Sequence, residues 1–217
     1  MDVEREQDYV TERELKYSTT DEHVPSHAEL AAAVAGTGLT LDAPTVERYV
    51  DVYFDSAERA LVRAGVALRR RHRPSGTYAT LKGAGSREGE LHSRPELEVR
   101  VEQDDAWPEA VLAALPEGAA AGLAPIAELW VERVRLVARS EGAPVADIAF
   151  DAVECRAPGH EGGSVTFNEV EVEALHAGPE SDAALGALAD AVGTLVPLTP
   201  SSHSKLERAL ALLAAFA

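Results

Sequence analysis

Glu12-Arg13-Glu14-Leu15-Lys16 sets the reading of this 217-residue chain. As a strand, the segment alternates its side chains, so Glu12, Glu14 and Lys16 share one face. Two carboxylates and an ammonium on a common face suit a metal-complexed polyphosphate. Carboxylates hold a hard cation, and an ammonium meets phosphate oxygen. The lysine is a rare choice here. Of 20 lysines and arginines, only Lys16, Lys82 and Lys205 are lysine. Arginine supplies the ordinary surface positive charge, so each lysine asks for a specific reason.

Outward from the pentad, the same alternation recurs. Period-two patterning predicts strands over Tyr9–Tyr17, Val46–Phe54, Val66–Arg73, Thr77–Gly83, Glu90–Glu102, Ile126–Arg139, Val145–Glu154 and Thr166–Leu175. Pro74-Ser75-Gly76 reads as the turn of a hairpin, and Gly159–Gly163 as a loop. Helical signals interrupt the strands. Ser26 followed by Glu29 is a capping-box signature, and Gly36-Thr37-Gly38 stops that helix. Ala106–Leu115, Asp182–Val192 and Ser204–Phe216 carry helical spacing. Eight successive strands predict an α+β fold: an eight-stranded antiparallel β-barrel flanked by helices. Nothing marks a domain boundary or a repeat, so residues 1–217 are expected to form one domain.

The faces carry the functional information. Strand after strand sets charged residues opposite apolar ones. Acidic groups fall at Glu12/Glu14, Glu96/Glu98, Asp151 and Glu169/Glu171. Basic groups fall at Lys16, Arg69/Arg71, Lys82 and Arg133/Arg135. A single such pair is ordinary for a solvated sheet face. Repetition over the strands, with acids and bases segregated by strand, points inward instead, to a charged tunnel whose outer apolar faces the helices cover. Both signs have a use there: arginine forks and lysines grip phosphate oxygens, and carboxylates hold divalent ions that neutralise the rest.

Composition narrows the classes. The net charge of −17 argues against nucleic-acid binding, which needs a basic face. Apolar residues make up 46%, enough for a sizeable core. No run of eighteen apolar residues exists, so no membrane span is expected. Met1–Glu6 lacks the basic and apolar regions of a signal peptide. Cys155 is the single cysteine, which excludes an internal disulfide and fits a reducing cytoplasm. The Ala-, Arg- and Gly-rich composition fits a bacterial source. Cys155 and the scattered histidines read as ordinary residues, and Trp107 and Trp130 as packing residues.

In order along the chain, these motifs resemble the CYTH superfamily, the triphosphate tunnel metalloenzymes. Glu12, Glu14 and Lys16 match its Glu-x-Glu-x-Lys first strand. Leu68-Arg69-Arg70-Arg71 is similar to its Leu-Arg-x-Arg strand, and Leu81-Lys82-Gly83 to the lysine strand that follows. Arg94-Pro95-Glu96-Leu97-Glu98 resembles its Arg-x-Glu-x-Glu strand. Arg133 and Arg135 sit where the family has a basic pair. Asp151-Ala152-Val153-Glu154 resembles its acidic strand, Glu169-Val170-Glu171 its late Glu-x-Glu, and Ser204-Lys205 the start of its last helix.

The resemblance implies a small anionic substrate, a triphosphate or polyphosphate, processed with Mg2+ or Mn2+. It implies that Lys16, Arg69, Arg71, Lys82, Arg133, Arg135 and Lys205 hold phosphate. It implies metal at Glu12, Glu14, Asp151, Glu169 and Glu171, with Glu96 and Glu98 completing the acidic lining, and Glu169, Glu171 and Lys205 acting in catalysis. Two alternatives stay open: the run Glu169, Glu171, Glu173 permits a shift of two residues, and Asp147 shares the face of Asp151. The expected activity is hydrolysis of inorganic triphosphate to diphosphate and phosphate. The competing readings are a class IV-type adenylate cyclase, a thiamine triphosphatase, and a non-catalytic polyphosphate-binding module. Monomer and homodimer are both compatible with the sequence.

Overall fold

The strand over the opening pentad pairs on both edges, and this closes the sheet. In the computed structural model, which describes residues 9–102, 106–159 and 163–216, eleven strands and five α-helices are present among the described residues. Met1–Glu6 and the middle of the Gly159–Gly163 loop lie outside them. The strands are β1 (Val10–Thr19), β2 (Leu39–Leu41), β3 (Thr45–Asp55), β4 (Ala67–Arg73), β5 (Gly76–Lys82), β6 (Ser86–Glu88), β7 (Leu91–Arg100), β8 (Ala124–Ser140), β9 (Ala143–Arg156), β10 (Val165–Ala174) and β11 (Thr199–Pro200). The helices are α1 (His27–Val34), α2 (Ala60–Arg63), α3 (Glu109–Ala114), α4 (Pro179–Gly193) and α5 (Lys205–Phe216). Around the barrel the order is β1-β10-β9-β8-β3-β4-β5-β7, and β7 returns to β1; every contact is antiparallel. These are the eight strands expected from the alternation. β2, β6 and β11 are short additions at strand edges.

Local chemistry explains the connections. Pro74-Ser75 joins β4 to β5, as the turn residues suggest. Glu141 and Gly142 both take positive φ, 48° and 86°, at the β8–β9 hairpin, the backbone a tight hairpin turn requires. Ser26 caps α1 reciprocally: its side chain accepts from the Glu29 N–H, and the Glu29 carboxylate accepts from the Ser26 N–H. α2, which the sequence did not suggest, is held by Asp55, whose buried carboxylate accepts the N–H groups of Leu61 and Val62. α3 is shorter than its pattern, starting at Glu109 after Trp107-Pro108.

Three apolar clusters show what the helices do. α1 and α4 cover the outer faces of β1, β8, β9 and β10, with Leu30, Leu185, Leu188 and Val192 against Ile148, Val170 and Val172. α3 covers β4, β5 and β7 through Val111 against Leu68, Leu81 and Leu97. The third cluster differs from expectation. The inward-facing positions turn apolar toward one end of the barrel: Tyr49, Tyr53, Leu129, Val131, Val153, Cys155 and Phe167 pack with Leu206 and Ala209 of α5. The last helix therefore closes one end of the lumen instead of covering an outer wall. Trp107 packs as expected, edge-on to Phe54 at 5.0 Å. Trp130 does not: it lies on the outer wall, 46% exposed, beneath the Arg156 guanidinium.

Candidate functional site

The lumen is a cavity of about 490 Å3 lined by charged side chains from the barrel strands and by the start of α5. The pleat puts them there, since every second residue of each strand points inward. Glu12, Glu14 and Lys16 are all buried on the inner face of β1. The Glu12 carboxylate accepts from Lys82 Nζ at 2.7 Å and from Arg94 Nε at 2.6 Å. Glu14 Oε1 is 2.9 Å from Lys16 Nζ and accepts from Arg94 Nη2 at 3.2 Å. Burial alone would push the Glu12 carboxyl up, but the Lys82, Arg94 and Lys16 charges outweigh it and hold the group well below the usual range. Burial likewise works against the charged form of Lys16, and the neighbouring Glu14 overrides it and raises the ammonium.

A second group gathers around the first residue of α5. Lys205 Nζ lies 2.7 Å from Asp151, 3.1 Å from Glu171 and 3.3 Å from Glu169. Arg133 forks onto Asp151 with two bonds of 2.7 Å and reaches Glu171 at 2.6 Å. Glu171 is thus kept ionised against its burial by Lys205, Arg133 and Lys16. Glu169, whose partners are Lys205 and Arg208, is pushed up by burial and further by Glu171. Arg135 pairs with Asp147 farther along the same wall.

The third group is built on β3 and β4. Asp51 is fully buried; its carboxylate accepts two bonds of 2.7 Å from Arg71 and one of 3.1 Å from Arg69. The Arg71 guanidinium also lies 3.9 Å over the Tyr49 ring. Glu96 and Glu98 stand on β7. Glu96 is 3.0 Å from Lys82 and 3.8 Å from Arg69, and Glu98 accepts from Thr80 at 3.0 Å.

The fold therefore sets the residues singled out by the alternation on the inner face of one barrel: most line the lumen itself, while Glu14, Asp151 and Glu169 are buried beside it against Lys16 and Lys205. It adds others that were not singled out, among them Asp51, Arg94, Glu47 and Arg73. Asp51 sits between Tyr49 and Tyr53 on β3, which also carries Glu47 and Asp55; its signal was the charge between two aromatics on the inner face. Arg94 precedes Glu96 by two residues and so shares its face. Glu173 is the open alternative of the late acidic run. In the β1–β10 ladder Lys16 stands opposite Glu171, and Glu14 opposite Glu173. Burial, followed by the Glu12 and Glu14 charges, pushes the Glu173 carboxyl up to about 8.

Among the described residues, no three Asp, Glu, His or Cys side chains converge with the spacing of a ready metal centre. The carboxylates are drawn instead to lysines and arginines. The donor chemistry still suits a hard divalent ion: Glu14 stands opposite Glu173 across β1 and β10, Glu12 and Glu171 share that inner wall, and burial first, then the Glu12 and Glu14 charges, raises the Glu173 carboxyl.

No helix among the described residues is long and apolar enough to cross a membrane. No curated protein matches the sequence. Solved structures share the fold. An adenylyl cyclase candidate from Hippeastrum, described as having a dominant triphosphatase activity, is 20% identical with a TM-score of 0.52, over 90% of this chain and 93% of the other. An adenylate cyclase candidate from Bacillus halodurans is 15% identical with a TM-score of 0.54, over 91% and 97%. A protein from Pyrococcus horikoshii is 19% identical with a TM-score of 0.54, over 94% and 99%. The family model of the CYTH domain matches residues 11–209, nearly the whole described barrel and the start of its closing helix. A closed eight-stranded barrel with an interdigitated acidic and basic lumen, matched over that length, makes this chain a member of the CYTH domain family.

Proposed function

We propose that this protein hydrolyses inorganic triphosphate to diphosphate and phosphate with Mg2+ or Mn2+. The carrying observation is the composition of the lumen: carboxylates and cations alternate around a 490 Å3 cavity that offers hard oxygen donors and phosphate grips together. Membership of the CYTH family and the described triphosphatase activity of the Hippeastrum neighbour support the same reading.

Lys16, Arg69, Arg71, Lys82, Arg133, Arg135 and Lys205 hold the phosphate oxygens, and Arg94 joins them at the β1–β7 wall. Arginine forks suit bidentate contacts with phosphate, and the compact ammonium groups suit single oxygens. A divalent metal would be held on the β1–β10 wall by Glu12, Glu14, Glu171 and Glu173. Glu96 and Glu98 balance the basic residues of β4 and β5, while Asp151 and Glu169 anchor Lys205 and Arg133. A bound divalent ion supplies charge neutralisation and makes a water more acidic. Water adds to the terminal phosphorus, the bond to the bridging oxygen breaks, and diphosphate leaves with the bonding electrons. Lys205, between Asp151 and Glu171, stands where it offsets negative charge on the phosphoryl oxygens, and ionised Glu171 completes the catalytic pair. Glu169 positions Lys205 from behind.

Phosphate release from tripolyphosphate, ATP and thiamine triphosphate, each with Mg2+ and with Mn2+, tests the proposal. Equal or better turnover of the organic esters overturns the inorganic preference. Cyclic AMP formation from ATP identifies a cyclase, and tight polyphosphate binding without hydrolysis under any divalent ion identifies a binding module.

A further inference from the structure

Among the described residues, the middle of the β3–β8 seam lies under no helix on its outer side. α1 and α4 cover the wall around Ile148, Val170 and Val172, and α3 covers the wall of Leu68 and Leu81. The seam between them leaves Val46 57% and Trp130 46% exposed. The Arg156 guanidinium steadies the indole from one face, 5.1 Å from the ring centre. The other side of the ring borders an open hollow of about 760 Å3, reached also by Val50, His72 and Glu154.

The order of residues across the seam carries more than the exposure does. Val46 stands opposite Val134, Arg48 opposite Glu132, and Val50 opposite Trp130. The last row continues outward to His72 of β4 and Glu154 of β9. Each row is its own complement about the seam: apolar mirrors apolar, and base mirrors acid. Consider two copies laid face to face with a two-fold axis along the seam. β3 of one copy then lies over β8 of the other. Val46 meets the partner's Val134, Arg48 meets the partner's Glu132, Val50 meets the partner's Trp130, and His72 meets the partner's Glu154. Every contact occurs twice, as a closed two-fold interface requires. The match ends at the next row, where Val52 stands opposite Glu128, so the contact centres on Arg48 and Val50.

The charges are available for this. Arg48 pairs with Glu132 of its own chain at 2.7 Å, yet the two side chains stay 74% and 49% exposed. Each keeps donor or acceptor sites for a second partner. Two copies of a chain with net charge −17 repel one another over most of their surface. A contact between copies therefore needs a patch of alternating sign, and the outer seam is one.

We propose that the β3–β8 seam is an interface between two copies of this chain, related by a two-fold axis along the seam, with the indole of Trp130 seated in the partner's hollow. The inference does not depend on the chemistry proposed for the lumen.

Sedimentation equilibrium of the full chain over roughly 1–100 µM tests it, with a dimer as the expected species. Trp130→Ala removes the anchor and should weaken the dimer by ~10-fold or more. Arg48→Glu and Glu132→Arg each set like charges together across the axis and should do the same. All three positions are on the exposed outer wall, so thermal melts of the variants should stay near that of the parent. Mixing is the decisive arm. Arg48→Glu and Glu132→Arg, each monomeric alone, restore both opposite-charge contacts when combined and should form a mixed dimer. Damage confined within one chain is not repaired by mixing. A parent that stays monomeric at the top of the range would leave the seam to a partner of other chemistry and overturns the proposal. So does a dimer indifferent to the three variants, or a pair of charge variants that mixing does not rescue.

Discussion

Glu173 stands directly opposite Glu14 across the β1–β10 ladder. The pairing sets two carboxylates against each other on the inner wall, one step from Lys16 and Glu171. Like charges in that position oppose each other. Burial comes first among the causes of the high Glu173 carboxyl pKa, about 8, and the Glu12 and Glu14 charges follow. The register thus places Glu173 beside Glu14 on the wall proposed to hold metal.

A pH dependence of stability follows. A carboxyl with a folded pKa above its unfolded value favours the folded state while protonated. Its contribution is complete below about 4.5 and is lost as pH rises through about 8. In chelator, thermal unfolding temperature should therefore decline across that window. Glu173→Gln should flatten the decline and unfold at a higher temperature than the parent at pH 9. Thermal melts in EDTA check this, and parallel slopes for the two proteins would remove Glu173 as the source.

Metal and substrate should bind cooperatively. Lys16, Lys82 and Arg94 are tied to Glu14 and Glu12 at 2.6–3.2 Å. A divalent ion on those carboxylates leaves the three cations to phosphate. Calorimetric titration should show tripolyphosphate binding at least ~10-fold tighter with Ca2+ than in chelator, a coupling of ordinary size for linked sites. Equal affinities would mean that the carboxylates do not take the ion.

Glu171 and Lys16 should fail differently. Glu171→Gln keeps the shape of the side chain and removes a proposed metal ligand, so kcat should fall by ~100-fold or more while KM changes little. Lys16→Ala removes a phosphate contact, so affinity and turnover should both drop. Steady-state kinetics separates the cases, and unchanged values in both variants would place the reaction elsewhere.

Asp51 should matter for the fold before the chemistry. Its carboxylate, at 0% exposure, is the partner of both Arg69 and Arg71. Asp51→Ala leaves the buried Arg71 without its carboxylate and Arg69 with only Glu96 at 3.8 Å, at a cost of about 3–5 kcal/mol. Urea denaturation measures the loss. A change below about 1 kcal/mol would show that water or another acid replaces the carboxylate.

Much of this was legible because strands write their faces into the chain with period two. The eight barrel strands, the capping box of Ser26 and Glu29, and the sharing of one face by Glu12, Glu14 and Lys16 are all local properties. α5 was legible as a helix, and its Ser204-Lys205 start as a motif, but its place in the barrel end was not. The apolar inner positions that receive it, such as Leu129, Val131 and Phe167, look like any other strand residues until the lumen exists. Asp51 was missed for a related reason: an acid on a strand reads as solvated unless the face it shares is known to be inside.

The amino-acid sequence alone determined which residues share a face, the sign of their charge, and the use of lysine at Lys16, Lys82 and Lys205, because alternation and side-chain chemistry are local. Only the tertiary structure decided that β7 closes onto β1, that Glu173 rather than Glu169 stands opposite Glu14, and that Lys205 enters among Asp151, Glu169 and Glu171. Those relations depend on pairing register and on the docking of one helix. A two-residue slip preserves every face and changes every partner, so no local pattern can choose between them.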